Sequence, residues 1–131
     1  MQLYLDTSAL TKLVVSERET AALQTFLSHH HDDNKFVSAL ARTELIRSVV
    51  RRGMLDAIPH ARRLLSRIES VPLTSRLLDE AAMLPPPGLR SLDAVHLAAA
   101  CAAPNLRALI TYDARLASAA ESLGIPVAQP N

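Results

Sequence analysis

The sequence predicts an α/β domain with a mainly parallel central sheet of four to five short strands. Two observations carry that prediction. Short apolar runs alternate with segments of helical periodicity from one end of the chain to the other. The chain has 131 residues, 49% hydrophobic and 21% charged at a mean hydropathy of +0.13, enough for one compact core and not for two. A single domain over residues 1–131 is expected, without repeats, low-complexity tracts or linkers.

The first strand is Leu3-Tyr4-Leu5, which runs through Asp6 straight into a helix over residues 8–15. Apolar positions Ala21, Leu23, Phe26 and Leu27 mark a second helix over 17–28, closed by a polar loop at 29–34, and residues 35–38 make the second strand. Ala41, Leu45 and Val49 place a helix over 40–52, with Gly53 as its stop. A helix over 56–69 leads into a third strand at 70–73, and a further helix spans 76–84. Pro85-Pro86-Pro87-Gly88 can be crossed by neither a helix nor a central strand and makes a stiff surface connection. Ser91 is the expected N-cap of an alanine-rich helix over 92–103. Residues 106–111 form a buried strand, 114–123 a helix ended by Gly124, and 125–127 a last short strand.

Composition narrows the function. No apolar run reaches the ~18 residues of a membrane span, and Met1 to Leu5 lacks the basic region and long apolar stretch of a signal peptide. A cytoplasmic protein without membrane contact is expected. The lone cysteine, Cys101, excludes an internal disulfide, and without a C-x-x-C pair there is no basis for thiolate zinc or redox chemistry. Set among alanines on a helix, it reads as a small buried hydrophobe. Net charge is only +1, yet all but Lys12 and Lys35 of the 14 basic residues are arginines. Arginine suits bidentate phosphate contacts and is equally a signature of GC-rich codons. With Tyr4, Tyr112, Phe26 and Phe36 as the only aromatics, a stacking platform for single-stranded bases is not expected.

In parallel α/β sheets, ligands sit outside the carboxyl ends of the strands. Asp6 closes the first strand, Asp113 follows the strand near residue 110, Asp93 opens a helix behind a rigid loop, and Glu44 lies early in the helix after the second strand. All four can face one crevice. Singly, each has a structural explanation: Asp93 suits the positive end of a helix dipole, Asp113 an N-cap or turn, Glu44 a solvated helix face. Together they repel, since two carboxylates ~5 Å apart cost about 3 kcal/mol at an effective dielectric of about 20. A divalent cation relieves that repulsion. Oxygen-only ligation suits Mg²⁺ or Mn²⁺, which lower the pKa of a bound water and stabilise charge developing at phosphorus. Phosphodiester hydrolysis is the reaction class that follows.

Asp6-Thr7-Ser8-Ala9-Leu10, Thr43-Glu44-Leu45, the run from Leu89 through Arg90 and Asp93 to Ala98, and Thr111-Tyr112-Asp113-Ala114-Arg115-Leu116 resemble, in order and separation, the motifs of PIN-domain nucleases. Within that family the chain is most similar to the VapC-type toxins of bacterial toxin–antitoxin pairs, over essentially its whole length. The resemblance implies a three-layer α/β/α PIN-like fold and a Mg²⁺- or Mn²⁺-dependent endoribonuclease acting on tRNA, rRNA or mRNA. It also implies a cognate antitoxin that inserts a segment into the active-site groove, and a homodimer within the toxin–antitoxin complex. Carried over position by position, Asp6, Glu44, Asp93 and Asp113 match the acidic quartet that holds metal and activates water. Ser8 and Thr111 match the hydroxyl positions that bond to the carboxylates or to the water. Asp6 and Asp93 correspond to the firmest metal contacts, and Asp113 to a more variable one.

Arg47 and Arg51, three and seven residues beyond Glu44, share roughly its helix face. They are candidates for contacts to RNA phosphates or to an acidic antitoxin segment, the alternative being a solvated basic face. Arg90 and Arg115, beside Asp93 and Asp113, are candidates for the same contacts. His29-His30-His31-Asp32-Asp33 lacks helical ligand spacing and reads as a solvated turn. His96 reads as a histidine that packs or bonds structurally within its helix. A phosphoacceptor receiver domain or a haloacid-dehalogenase-like phosphotransferase would need a lysine late in the chain, and none follows Lys35. The second would also need an aspartate where Ser8 stands. A catalytically silent PIN-like binding module and a nuclease acting on DNA stay open.

Overall fold

A computed structural model describes residues 1–131. Strand and helix alternate: β1 (Gln2–Leu5), α1 (Thr7–Val14), α2 (Thr20–His29), β2 (Asn34–Ser38), α3 (Ala41–Arg51), a 3₁₀ turn (Leu55–Ala57) leading into α4 (Ile58–Arg67), β3 (Glu69–Val71), α5 (Ser75–Ala82), α6 (Ser91–Cys101), β4 (Leu106–Ile110), α7 (Ala114–Ser122) and β5 (Val127–Ala128). Every strand pairing is parallel, in the order β3-β2-β1-β4-β5. The first strand of the chain is therefore the middle of the sheet, and no helix is long and apolar enough to cross a membrane.

Crossover helices must lie on one face or the other of a parallel sheet, so both faces are covered, and the two-residue period of the strands divides the core between them. Tyr4, Phe36 and Leu109 point to one face, where Leu77 of α5, Leu97 of α6 and Leu116 of α7 meet them. Leu3, Leu5, Val37 and Ile110 point to the other, against Leu10 of α1, Leu23 of α2, Leu45 of α3 and Leu65 of α4. This is the three-layer α/β/α arrangement that the resemblance implies.

Two glycines end helices by the same device. Gly53 (φ +67°) and Gly124 (φ +75°) take the left-handed conformation just past α3 and α7. Each helix then closes with paired backbone bonds, Met54 N–H to Val49 O and Gly53 N–H to Val50 O in the first, Ile125 N–H to Ala120 O and Gly124 N–H to Glu121 O in the second.

Several element boundaries differ from the sequence expectation, each for a local reason. The second helix begins at Thr20, not residue 17, because the Thr20 hydroxyl accepts the Glu17 N–H and bonds back to the Lys12 carbonyl, closing a turn first. The segment expected as one helix over 56–69 splits into a 3₁₀ turn and α4, with Pro59 in the first turn, where its missing N–H costs nothing. β3 stops at Val71 because Pro72 has no N–H to donate. β5 is Val127–Ala128, since Ile125 is occupied in the Gly124 turn. Ser91 is not an N-cap: it is the first helical residue, Arg90 holds the cap position, and no side chain caps α6. Cys101 is not buried: it is the last residue of α6 and exposed, one position beyond the buried run that ends at Ala100.

Candidate active site

From β1 the chain winds one way to β2 and β3, and the other side of β1 is taken by β4 and β5. The crevice beyond the carboxyl ends of β1 and β4 is thus the point where the winding reverses, the usual ligand site of such sheets. Asp6 stands at its base. Its Oδ1 accepts hydrogen bonds from Ser8 Oγ (2.6 Å) and the Ala9 N–H (3.0 Å), and its Oδ2 accepts from Thr111 Oγ1 (2.5 Å). The same hydroxyls accept in turn, Ser8 Oγ from the Tyr112 N–H (2.8 Å) and Thr111 Oγ1 from the Asp113 N–H (3.0 Å). Ser8 and Thr111 thereby lock the end of β1 to the end of β4. Asp6 is only 4% exposed and forms no ion pair. Burial pushes its pKa up, against the opposing pull of Ser8, Thr111 and Ala9.

Glu44 lies in the first turn of α3 and is half-buried. Thr7 Oγ1 donates to its Oε1 at 2.6 Å, and His96 Nε2 stands 2.7 Å from the same oxygen. The other ring nitrogen, Nδ1, shares a 2.6 Å hydrogen bond with Tyr4 Oη, under the sheet's own first strand. Burial works against the Glu44 charge, but the hydrogen bond and charge of His96, with Thr7 and Arg51, outweigh it and hold the carboxyl below its usual range. His96 shows the mirror image: burial opposes its charge, yet Glu44 first, then the charges of Asp6 and Asp93, raise its pKa above 6.5. His96 thus bonds across to another element, not within its own helix as the sequence suggests.

Asp93, in the first turn of α6, and Asp113, just before α7, are brought together by Arg90. Its guanidinium Nη2 lies 2.9 Å from Asp93 Oδ2 and 3.5 Å from Asp113 Oδ2. Asp113 serves twice, because its Oδ1 also caps α7 through the Arg115 and Leu116 N–H groups at 2.9 and 3.2 Å. Arg90 and Arg115 line an open groove of about 620 Å³ that leads away from Asp93 between the proline-rich loop and α7. Arg47 and Arg51 are exposed on α3. The histidine run sits at the opposite, amino end of the sheet. There His29 ends α2, His30 tilts against Phe26 (4.6 Å between centroids) and His31 pairs with Asp32 at 3.2 Å.

Sequence reasoning missed Tyr4 and Thr7 and undervalued His96. Only one of them left a signal: His96 is three residues after Asp93 and so on the same face of α6. The donor set around the crevice is all carboxylate oxygen, which suits a hard divalent ion. Asp6, buried without a cation of its own, is the group such an ion would relieve most. As the side chains stand, no three His, Cys, Asp or Glu groups converge to form a ready-made metal cage, and Arg90 lies between two of the four acids.

A parallel sheet ordered 3-2-1-4-5, with acids from the β1–α1 junction, α3, α6 and the β4–α7 junction around its switch point, defines a PIN-type α/β domain. The PIN domain family model matches residues 3–122. Over 131 aligned residues the chain is 43% identical to Ribonuclease VapC47 of Mycobacterium tuberculosis, covering 98% of this chain and 96% of that one. It is 40% identical to Ribonuclease VapC35 of the same organism with the same coverage, and 41% identical to Ribonuclease VapC46 over 98% of each chain. Among solved structures, a chain from the crystal structure of VapBC2 of Rickettsia felis bound to a promoter DNA fragment superimposes with a TM-score of 0.75. It is 13% identical over 100% of both chains, a likeness of fold. The chain belongs to the PIN-domain family and, within it, to the VapC-type group.

Proposed function

We propose that this protein is a Mg²⁺- or Mn²⁺-dependent endoribonuclease, the toxin of a toxin–antitoxin pair, hydrolysing RNA phosphodiester bonds. The observation that carries the reading is the Asp6 carboxylate, almost sealed from water at the switch-point crevice and served by two hydroxyls and an amide but by no basic side chain. The VapC-type relatives, each a named ribonuclease, support the RNA substrate. Asp6, Asp93, Glu44 and Asp113 would hold the ion. Bound there, it would offset the clustered negative charge, acidify a water and stabilise charge developing at phosphorus.

The chain's own side chains do the rest. Ser8 and Thr111 hold both Asp6 oxygens in fixed directions, and Thr7 with His96 does the same for Glu44 Oε1. Arg90 and Arg115 line the groove beside Asp93 and would contact phosphates flanking the scissile bond. A cognate antitoxin and a homodimer are inferred from the VapC-type grouping.

The test is cleavage of total cellular RNA by antitoxin-free protein in Mg²⁺, Mn²⁺ or EDTA, with Asp6→Asn and Asp93→Asn alongside and a DNA substrate in parallel. Discrete metal-dependent RNA fragments, absent in both variants, are expected. The same pattern from wild type and variants, or none in any metal, would sink the catalytic reading in favour of a binding module. Cleavage of DNA alone would replace the substrate.

A further inference from the structure

Positive charge in this chain is far from evenly spread. Residues 41–67 carry seven arginines against two acids, a net charge of +5 in a chain whose total is +1, so the remainder is net negative. Pairing sharpens the contrast. Arg52, Arg76, Arg90 and Arg107 each meet a carboxylate, and Lys12 is taken by Glu17 and Glu19. Of the eight arginines left without an ion pair, six lie on α3 and α4: Arg42, Arg47, Arg51, Arg62, Arg63 and Arg67. Exposed arginines crowded on two adjacent helices repel one another and destabilise the fold unless an anion covers them.

The two helices form a cleft of about 470 Å³ whose charged walls are Arg42 and Arg47 from α3 and Arg62 from α4. Its lining includes Thr43, the chain neighbour of Glu44. On a helix of 3.6 residues per turn, Arg47 lies about 60° from Glu44, toward Thr43 and the cleft, and Arg51 only about 20° from Glu44. Arg47 thus lines the cleft one turn beyond Glu44, and Arg51 lies on the Glu44 side of α3, where its charge helps to keep that carboxyl ionised.

We infer that the arginine cleft between α3 and α4 is a second, non-catalytic binding surface that carries the phosphate backbone of a single-stranded RNA toward the Glu44 side of the active site. The inference rests on the ribonuclease reading for its choice of anion. Arginine forks bind phosphate oxygens in pairs, and a cleft without an aromatic side chain gives backbone contact without base stacking. Substrate choice then depends on strand path and not on base identity at this surface.

The experiment measures binding of a 20-nucleotide mixed-sequence single-stranded RNA by fluorescence anisotropy in EDTA, between low and high salt. Wild type is compared with the triple variant Arg42→Gln, Arg47→Gln, Arg62→Gln and with Arg76→Gln, an exposed arginine on α5. Each phosphate contact to a single strand contributes about 0.7 to the slope of log affinity against log salt. The triple variant is expected to weaken binding and lower that slope by about 2, with Arg76→Gln unchanged. An unchanged slope and affinity in the triple variant, with the circular dichroism of wild type, overturns the inference. So does loss of binding to a polyglutamate peptide with RNA binding retained, which reassigns the surface to an acidic polypeptide. Cleavage in Mn²⁺ is scored separately. No cleavage alongside the expected slope change defeats the nuclease reading and leaves this surface standing, whereas cleavage with an unchanged slope does the reverse.

Discussion

His96 Nε2 lies 2.7 Å from Glu44 Oε1, so a side chain from one helical layer holds an acid from the other across the carboxyl edge of the sheet. Tyr4 Oη at Nδ1 fixes the imidazole from below, and Thr7 fixes Glu44 from the side. The acid nearest the arginine-rich face is thus set by three residues from β1, α1 and α6.

That arrangement predicts a paired effect at position 96. His96→Ala strands a buried tyrosine hydroxyl and leaves Glu44 with Thr7 as its remaining side-chain donor, at a cost of roughly 1–3 kcal/mol in urea unfolding. As a support of a proposed ligand, its loss should lower RNA cleavage by about 10–100-fold. His96→Gln, which keeps an N–H donor, recovers part of both. Full activity in the folded alanine variant would show that Glu44 needs no positioning.

Thr111 is fully buried between Asp6 and the Asp113 N–H. Thr111→Val keeps the volume but removes both bonds, and a loss of roughly 1–3 kcal/mol is expected by denaturant titration. Saturating Mn²⁺, at about 100 times its dissociation constant, should raise wild-type stability by about 2.7 kcal/mol. The same ion should leave Asp6→Asn unshifted in a thermal melt. An equal Mn²⁺ shift in both proteins would place the ion elsewhere.

Arg90 pairs with Asp93 and Asp113, two of the acids proposed to hold a divalent ion. Arg90→Ala removes that competitor and is expected to tighten Mn²⁺ binding severalfold by calorimetry without RNA, while weakening RNA binding. Unchanged Mn²⁺ affinity would separate Arg90 from the proposed metal ligands.

Acid stability should depend on Asp33, at the amino end of the sheet. Its carboxylate receives Arg107 from β4 and the Met1 ammonium (3.2 Å), with His30 at 3.8 Å. The Arg107 hydrogen bond, aided by the N-terminus, lowers its pKa from 3.8 to about 2. Because the folded value lies below the unfolded one, this contribution is complete above about pH 4 and is lost as pH falls toward 2. Asp33→Asn should flatten the melting temperature over that window and lower it at neutral pH. A variant whose acid limb matches wild type would remove Asp33 as its cause.

How far the sequence reached depends on how local each feature is. The alternation of strands and helices, the glycine stops at Gly53 and Gly124, and Asp6 and Asp113 after strand ends follow from periodicity and from residues within a few positions of one another, whereas Ser8 and Thr111 were legible only through the resemblance of their motifs to the PIN-domain family. Element ends were less legible where side chains or prolines intervened. Thr20 delays α2, Pro72 stops β3, and α6 begins at Ser91 without a side-chain cap. The exposed Cys101 was misread because an alanine-rich helix shows no polar face from which to tell which end leaves the core.

By itself the sequence determined the class of fold, the acids at the carboxyl edge and the membership of the PIN-domain family that its motifs announce. Only the tertiary structure decided how those acids are held. Arg90 spans Asp93 and Asp113, His96 reaches Glu44 from 52 positions away, and Tyr4 supports His96 from inside the sheet. The reason is physical: periodicity and capping act over a turn or two of chain, whereas a buried hydrogen bond between layers depends on the packing of helices whose approach no local pattern encodes.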